Sequence, residues 1–242
     1  MKISLVIPMY NESSIIGDTA KELHKYMSAR FGDYEVIFVD DGSKDNCAEI
    51  VNELALPNIR VSGYGENRGK GAAVRHGVLE ADGDIIMFTD ADLAYGTEVI
   101  GEVFETFELL PETQIVMGSR NISEDGYAGY TALRRIMSKT YIKLLCLVGG
   151  FKLSDSQCGC KAFRAVAAKE IFSRLEVRGF AFDFEAILWA GELGYDITEL
   201  GVKIINHRES KVNVIKDTFR MLRDLRRIKK NVKRRATGEK IK

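Results

Sequence analysis

Short apolar runs alternate regularly with helical patterns in the first half of the chain, and this alternation constrains the fold more than any other feature of the sequence. The runs are almost continuously apolar, as in ISLVI and VIFV, which is typical of strands buried on both faces of a parallel sheet. Strands that alternate with helices in this way form βαβ units. Strands are therefore expected at residues 3–7, 35–39, 59–62, 85–89 and 115–117, and helices at about 14–30, 45–55, 70–81 and 97–110.

The second half of the chain is less regular. Its pattern predicts helices at about 131–148, 182–193 and 212–232, a strand-like run at 197–205 and a loop at 152–163. In the last helix one face is apolar, and the other is dense in Lys and Arg; the apolar positions are Ile215, Phe219, Leu222, Leu225, Ile228 and Val232. We expect one α/β domain over residues 1–208, followed by a basic amphipathic helix and tail over 209–242.

The net charge of zero conceals an asymmetry between the body and this tail. From residue 207 to the end there are 14 Lys and Arg against 4 Asp and Glu, so the preceding residues are acidic overall. A basic tail predicts an anionic surface as partner. The four cysteines are scattered and match neither a zinc site nor a redox CxxC, so reduced thiols in the cytoplasm are expected. No apolar window is long enough to predict a membrane span.

Polar residues follow three of the predicted strands directly: Tyr10-Asn11-Glu12, Asp40-Asp41-Gly42-Ser43 and Asp90-Ala91-Asp92. Parallel sheets bind ligands at the carboxyl ends of their strands, so these residues are candidates for a site. Asp40 to Ser43 would equally suit a turn and a helix start without any ligand. Asp90 and Asp92 would suit a turn, or Mg²⁺ or Mn²⁺ together with phosphate oxygens, whereas Asp92 is too far from the helix expected at 97 to cap it well.

The glycine-rich stretch GYGENRGKG matches neither common phosphate-binding template. Its third glycine is one residue late for the dinucleotide fingerprint, and Tyr64 and Gly71 stand where a Walker A motif needs Gly and Ser or Thr. Two interpretations stay open for it. One is a flexible turn before a helix that begins at Lys70, and the other is a loop whose amides, with Lys70 or Arg75, contact phosphates.

Taken together, the motifs carry a resemblance that none carries alone. The segments VIPMYNE, VDDGSKDN, NRGKGAAVRHG, TDADL, GSR and SDSQCGCKAF occur in this order. Over roughly residues 3–230 the chain resembles the inverting family-2 glycosyltransferases of GT-A fold. Within that family it is most similar to the branch that transfers a sugar to dolichyl or polyprenyl phosphate. The resemblance implies a Rossmann-like, mainly parallel sheet flanked by helices.

The resemblance also implies a role for each matched position. The nucleoside side would comprise Pro8, Tyr10, Glu12, Asp40 and Asp41. Lys70 and Arg75 would lie near the diphosphate, and Asp90 and Asp92 would be the DxD pair that holds Mg²⁺ or Mn²⁺ and touches the sugar. The acceptor side would comprise Arg120, Arg134, Ser138, Asp155, Gln157 and Lys161. Asp183 is a further candidate there, with Glu185 and His207 as weaker ones; acids at 183 and 185 are also typical of a helix N-terminus.

The implied activity is a metal-dependent, inverting transfer of a hexose from a nucleotide sugar to polyprenyl phosphate. UDP-glucose is the favoured donor, with GDP-mannose second. A family-2 transferase with a saccharide acceptor and a non-catalytic nucleotide-sugar-binding subunit are the alternatives. We expect peripheral contact with the cytoplasmic face of a membrane through the last helix, helped by the helix expected at 131–148. The apolar face of the last helix would also suit packing on the domain or on a partner chain. Nucleic acid is not expected as a partner, because the basic tail lacks interleaved aromatic residues.

Overall fold

A computed structural model describes residues 1–206 and 214–238, and for residues 214–223 it describes the helical backbone alone. The strands are β1 (Ile3–Met9), β2 (Tyr34–Asp41), β3 (Ile59–Tyr64), β4 (Ile85–Phe88), β5 (Ile115–Ser119), β6 (Lys161–Arg164) and β7 (Ile197–Gly201). The helices are α1 (Ile16–Arg30), α2 (Cys47–Glu53), α3 (Lys70–Glu80), α4 (Glu98–Leu109), α5 (Ala132–Gly149), α6 (Ala165–Arg174), α7 (Phe182–Glu192) and α8 (Val214–Ala236).

The described strands form one sheet in the order β3-β2-β1-β4-β6-β5-β7. Every strand pair is parallel except the two that involve β6, which runs antiparallel to both β4 and β5. Six strands therefore point the same way, and their carboxyl ends meet at one edge. The predicted mainly parallel α/β fold is confirmed.

Helices cover both faces of the sheet and bury two apolar clusters. Alternate residues of β1 divide between them, since Leu5 packs on one face and Val6 on the other. The first face is covered by α1, α2 and α4, and the second by α3, α6, α7 and the described end of α8. Burial on both sides explains why the strands are continuously apolar in sequence.

Helix α3 lies unusually close to the sheet because of Gly77. A Cβ at this position would lie 2.5 Å from Val6 Cγ1 and 2.7 Å from Val39 Cγ2. Only a residue without a side chain permits this approach. It brings Lys70, the first residue of α3, to the carboxyl ends of the strands.

Two sequence predictions for the second half were wrong. The loop expected at 152–163 ends in strand β6, and helix α6 follows without having been predicted. The strand escaped detection because it is only four residues long, KAFR, and begins with a lysine. Its lysine, Lys161, is nevertheless fully buried, which no local pattern indicates.

Helix α8 extends over Val214–Ala236, close to the predicted range. Three residues of its apolar face, Leu225, Ile228 and Val232, are buried in the core of the domain. Over this half of the helix, packing on the domain accounts for the apolar face, and these three side chains are therefore not available to a membrane. The side chains of Ile215, Phe219 and Leu222 lie outside the described set. In the part of the chain that the structure describes, no helix combines the length and hydrophobicity needed to cross a bilayer.

Candidate active site

The loops that follow β1 and β2 are joined by hydrogen bonds at the carboxyl edge of the sheet. The Asn11 amide donates to Ser43 Oγ at 3.0 Å, and Asn11 Oδ1 accepts from the Lys44 amide at 2.8 Å. Asn11 has φ 54°, in the left-handed region that asparagine tolerates better than most residues. The two expected nucleoside residues Tyr10 and Glu12, one on each side of Asn11, are thereby set beside the β2 loop.

The two aspartates at the end of β2 have different roles. Asp40 is half-buried, and its Oδ1 accepts the Ser43 amide at 2.9 Å. Asp41 is buried, and its carboxylate accepts hydrogen bonds at 2.7–3.2 Å from the Tyr64 hydroxyl, the Asn67 side chain and the amides of Arg68 and Gly69. These hydrogen bonds occupy the Asp41 carboxylate and hold the loop between β3 and α3 in place. Of the pair expected at the nucleoside, Asp40 is the better candidate.

Replacing Asp41 with alanine is expected to lower the free energy of unfolding by about 2–4 kcal/mol, because several donors in the loop lose a buried charged acceptor. Chemical denaturation followed by circular dichroism measures this change. Asp33→Ala, an exposed aspartate before β2, serves as control and is expected to shift stability by less than about 0.5 kcal/mol. Equal stabilities of the two variants would show that Asp41 does not anchor the loop.

An ion pair lies at the carboxyl end of β4. The ammonium of Lys70 contacts Asp90 Oδ1. On the other oxygen, Gly159 packs so closely that a Cβ there would lie 2.2 Å from Asp90 Oδ2. The Asp90 carboxylate is thus held between the start of α3 and the segment before β6.

A second, more deeply buried pair adjoins the first. Lys161 is fully buried, and its ammonium lies 2.9 Å from Asp183 Oδ1 at the start of α7. Burial opposes the charge on Lys70, but the carboxylates of Asp90, Asp183 and Asp92 outweigh it and raise the pKa of Lys70. Burial likewise raises the pKa of Asp183, against the opposing effect of Lys161 and Lys70. The two lysines and the acids around them therefore act as one electrostatic unit.

Asp92 lies in a tight turn just beyond this unit. Its Oδ1 accepts the Ala94 amide at 3.1 Å, and the turn places Leu93 at φ 46°. The Asn206 side chain donates to the carbonyls of Asp92 and Leu93 at 3.3 and 2.9 Å. Asp92 lines a cleft of about 280 Å³ together with the first turns of α1. Of the candidate site residues, Asp92 is the one that lines this cleft.

The donor set at β4 suits a hard divalent cation. Within residues 1–206 and 214–238, no three His, Cys, Asp or Glu side chains are close enough to form a complete protein site. Asp90 and Asp92 nevertheless provide carboxylate oxygens two residues apart, and at Asp90 a metal would share the carboxylate with the Lys70 ammonium. Mg²⁺ is usually held by one or two carboxylates together with substrate phosphates. The two aspartates therefore fit Mg²⁺ or Mn²⁺ whose other ligands come from a bound diphosphate.

Arg120 at the end of β5 forms a buried, two-pronged ion pair with Asp155. The distances are 2.6 Å from Nε to Oδ2 and 2.9 Å from Nη2 to Oδ1. Burial opposes the charge on Arg120, but Asp155 outweighs it and raises the pKa of the guanidinium. The family resemblance assigns Arg120 to an acceptor phosphate; the structure uses its Nε and Nη2 to tie β5 to the segment 154–160 instead.

Glu199 on β7 holds the same segment and was missed by the sequence analysis. Its carboxylate accepts from the amide and hydroxyl of Ser154 and from the Asp155 amide, at 2.6–3.1 Å. Ser119 Oγ lies 2.5 Å from Ser154 Oγ. The available signal was a lone acid within a short strand, ITELG, which has no motif around it.

Two tyrosines arrange the cations at the start of α5, and they too were missed. The guanidinium of Arg134 lies 4.0 Å from the centroid of the Tyr130 ring. Around the Tyr127 ring, three cations lie at 5.3–5.6 Å: Arg120, Arg135 and Lys139. Arg134 is exposed and Ser138 is half-buried, one turn further along the helix. The result is a concentration of positive charge in which aromatic rings orient the side chains.

The remaining predicted residues are placed differently. Arg75 donates to two carbonyls at the C-terminal end of α6, at 2.9 and 3.4 Å, so the structure does not support its predicted contact with a diphosphate. Glu185 accepts two backbone amides of the loop before α7, which gives it a structural role. Gln157 and Pro8 are half-buried, in the 154–160 segment and in β1. His207 lies outside the described residues.

The mainly parallel sheet, with paired carboxylates at its carboxyl edge, defines the GT-A class of glycosyltransferases. A solved structure of glucosyl-3-phosphoglycerate synthase from Mycobacterium tuberculosis, in complex with Mn²⁺, UDP and phosphoglyceric acid, has this fold. It matches with a TM-score of 0.68 and 18% identity, over 96% of this chain and 78% of that chain. The predicted fold is thereby confirmed.

The sequence profile of glycosyl transferase family 2 matches residues 4–172, and the chain belongs to this family. It is 33% identical to a dolichyl-phosphate beta-glucosyltransferase of Trichomonas vaginalis, over 87% of this chain and 66% of the relative. It is 32% identical to the dolichyl-phosphate beta-glucosyltransferase of Dictyostelium discoideum, over 94% of this chain and 73% of the relative. The protein is thus a glycosyltransferase, as the sequence motifs predict.

Proposed function

We propose that the protein transfers glucose from UDP-glucose to the phosphate of a polyprenol or dolichol, with inversion at the anomeric carbon. The observation that carries the proposal is the similarity to dolichyl-phosphate beta-glucosyltransferases over 87–94% of the chain. The geometry supports it, because one short segment contacts both an acidic and a cationic region. Residues 154–160 touch Asp90 through Gly159, and Arg120 beside Tyr127 through Asp155.

In this proposal the loops after β1 and β2 bind the nucleoside. Tyr10, Glu12 and Asp40 line it together with Pro8, since a carboxylate accepts well from a ring N–H or a ribose hydroxyl. Lys70, the first residue of α3, lies beside Asp90 and places its charge against the diphosphate. Arg75 is left out of the site because its guanidinium is bound to α6.

A divalent cation completes the donor side. Asp90 and Asp92 hold Mg²⁺ or Mn²⁺, which when bound supplies positive charge that stabilises the diphosphate leaving group. The neighbouring pair Lys161 and Asp183 keeps the surroundings of Asp90 polar and fixed in position, because Lys161 is fully buried.

The start of α5 binds the acceptor phosphate. Arg134 and Ser138 lie one helical turn apart, and Tyr130 orients the guanidinium of Arg134. A phosphate monoester is already ionised near neutral pH, so it attacks the anomeric carbon without a general base. The bond from the anomeric carbon to the nucleotide breaks as the bond to the lipid phosphate oxygen forms, and UDP leaves. The protein's part is to position two anions that would otherwise repel each other.

The proposal places the reaction at the cytoplasmic face of a membrane. A lipid acceptor requires access to a bilayer, and all four cysteines are unpaired, which suits a reducing compartment. GDP-mannose as donor and a saccharide as acceptor are the competing assignments within the family.

A panel assay tests the proposed function. The purified protein is incubated with Mn²⁺ or Mg²⁺, with UDP-glucose or GDP-mannose, and with a short polyprenyl phosphate, the matching polyprenol or an oligosaccharide. We expect the glucosyl lipid phosphate as main product, formed at least about 100-fold faster than any product from the unphosphorylated polyprenol. Transfer to the oligosaccharide alone would overturn the acceptor, and nucleotide binding without turnover with any pair would overturn the proposed catalysis.

A further inference from the structure

Helix α5 presents a row of exposed side chains along its outer face. Leu133, Ile136, Thr140, Lys143 and Leu147 are all exposed, the three apolar ones at 68%, 63% and 81%. At 100° per residue these positions fall within an arc of about 80°, so they form one stripe, about 21 Å long. We call these five residues the α5 stripe.

The rest of α5 explains why the stripe stays exposed. Ile142 and Leu145 project from another side of the helix and are buried against the domain. The helix therefore has its own buried face, and the α5 stripe is apolar surface in addition to it. Single exposed apolar residues are ordinary, whereas three aligned on one helix indicate an interaction surface.

The C-terminal end of the stripe opens into a groove of about 700 Å³ between α5 and α8. Leu147 and Val148 line one side, and the remaining lining residues are Arg226, Lys229, Lys230, Lys233, Arg234 and Thr237. Five of these are cations, and no acid lines the groove in the described part of the chain. We call it the basic groove.

The described half of α8 is fixed in place, so the basic groove is a lasting feature of the surface. Leu225, Ile228 and Val232 anchor it in the core. Lys229 donates to the Val148 carbonyl at 2.8 Å, which joins α8 to the end of α5. Lys230 and Lys233 remain exposed on the outer side.

We infer that the α5 stripe and the basic groove together form the surface on which the protein docks to an anionic lipid bilayer. The inference rests on the proposed function only in that a lipid acceptor requires contact with a bilayer. An amphipathic helix that lies in the interface buries its apolar side chains among the headgroups, while nearby Lys and Arg contact lipid anions. A ridge of spaced apolar residues beside clustered cations therefore suits an anionic bilayer as partner better than it suits an acidic protein.

Docking in this way orients the proposed acceptor site. The stripe begins at Leu133, next to Arg134, and ends at Leu147 in the basic groove. At 100° per residue, Arg134 lies about 140° around the helix from the centre of the stripe, so docking places Arg134 on the side of α5 that faces away from the bilayer. The proposed acceptor site then lies close to the membrane surface, within about one helix diameter of the headgroups.

Vesicle sedimentation of the full chain tests the charge contribution. Vesicles of phosphatidylcholine with and without phosphatidylserine are compared for the wild type, Lys233→Glu and the control Lys25→Glu, an exposed lysine on α1. One basic residue near an anionic surface contributes about a fivefold factor in partitioning, so a charge reversal in the groove is expected to lower binding about 25-fold. Lys25→Glu is expected to bind like the wild type.

A second pair of variants tests the apolar stripe. Leu147→Gln is compared with Leu109→Gln, because both leucines lie in the last turn of a helix and are 81% and 79% exposed. Loss of one inserted leucine is expected to weaken binding to phosphatidylserine vesicles about tenfold, and the α4 control is expected to have no effect.

Equal binding of the wild type to both kinds of vesicle would overturn the docking surface. Unchanged vesicle binding by Lys233→Glu and Leu147→Gln would overturn it too. So would binding of the protein to an acidic protein in place of the vesicles. Transfer to a short polyprenyl phosphate in the absence of vesicles is measured in parallel. It is expected to be equal in all four variants, since none of the substituted residues belongs to the proposed site. Vesicle binding with no transfer at all would overturn the proposed function and leave the docking surface standing.

Discussion

Replacing Asp92 with asparagine is expected to lower the rate of sugar transfer by about 100- to 1,000-fold, comparable to the loss of a principal electrostatic group in an active site. Asparagine keeps the size of the side chain and an oxygen that can accept the Ala94 amide. It removes the negative charge that a divalent cation requires. The apparent affinity for Mn²⁺ in the presence of UDP, measured by calorimetry, is expected to fall with the rate.

Asp196→Asn is the matched control. Asp196 is exposed and precedes β7, the strand at the opposite edge of the sheet from the site. The transfer rate and the Mn²⁺ affinity of Asp196→Asn are therefore expected to equal those of the wild type. Both variants are expected to unfold within about 0.5 kcal/mol of the wild type, because neither change creates a cavity. Full activity of Asp92→Asn without added metal would exclude the proposed role of this aspartate.

Arg134→Ala is expected to reduce transfer to polyprenyl phosphate by at least about 100-fold while UDP-glucose binding stays within about twofold of the wild type. The guanidinium stacks on Tyr130 and is the candidate cation for the acceptor phosphate. Helix α5 itself is expected to persist, because Thr131 caps it through the backbone amide of residue 134, which alanine retains. Slow hydrolysis of UDP-glucose to free glucose is expected to continue.

The control for this variant is Lys143→Ala, assayed with a short acceptor in the absence of vesicles. Lys143 is exposed on the same helix but more than two turns further from the proposed acceptor site. Its removal is expected to leave transfer unchanged under these conditions. Equal rates for Arg134→Ala and the wild type would assign the acceptor phosphate to other cations, of which Arg135 and Lys139 are the nearest around Tyr127.

Most of the fold was predictable because each parallel strand has a strong local signature. The buried strands β1 and β2 read as apolar runs, and the helices between them follow a regular period. Strand β6 had no such signature. It is short, antiparallel and starts with a buried lysine, and it is a strand because it completes the sheet between β4 and β5.

Candidate site residues could be selected from the sequence where they follow a strand directly, and less readily where their partner is distant in sequence. Asp90 and Asp92 could be selected from the sequence, because the end of a parallel strand is a known position for ligands. Glu199 could not, since its partners Ser154 and Asp155 are more than forty positions earlier in the chain. Arg75 was expected beside Lys70 because the two are close in sequence, but Lys70 contacts Asp90, whereas one and a half turns of helix direct Arg75 towards α6.

The alternation of strands and helices, the family and the carboxylate pair proposed as a metal site follow from the sequence alone, because they depend on local pattern and on motifs read in order. Which charges are paired depends on the tertiary structure. Asp41 and Arg120 look like ligand-binding residues in the sequence, yet the first holds a loop and the second pairs with Asp155. A buried charge requires a partner, and which partner it finds depends on how the chain folds back on itself.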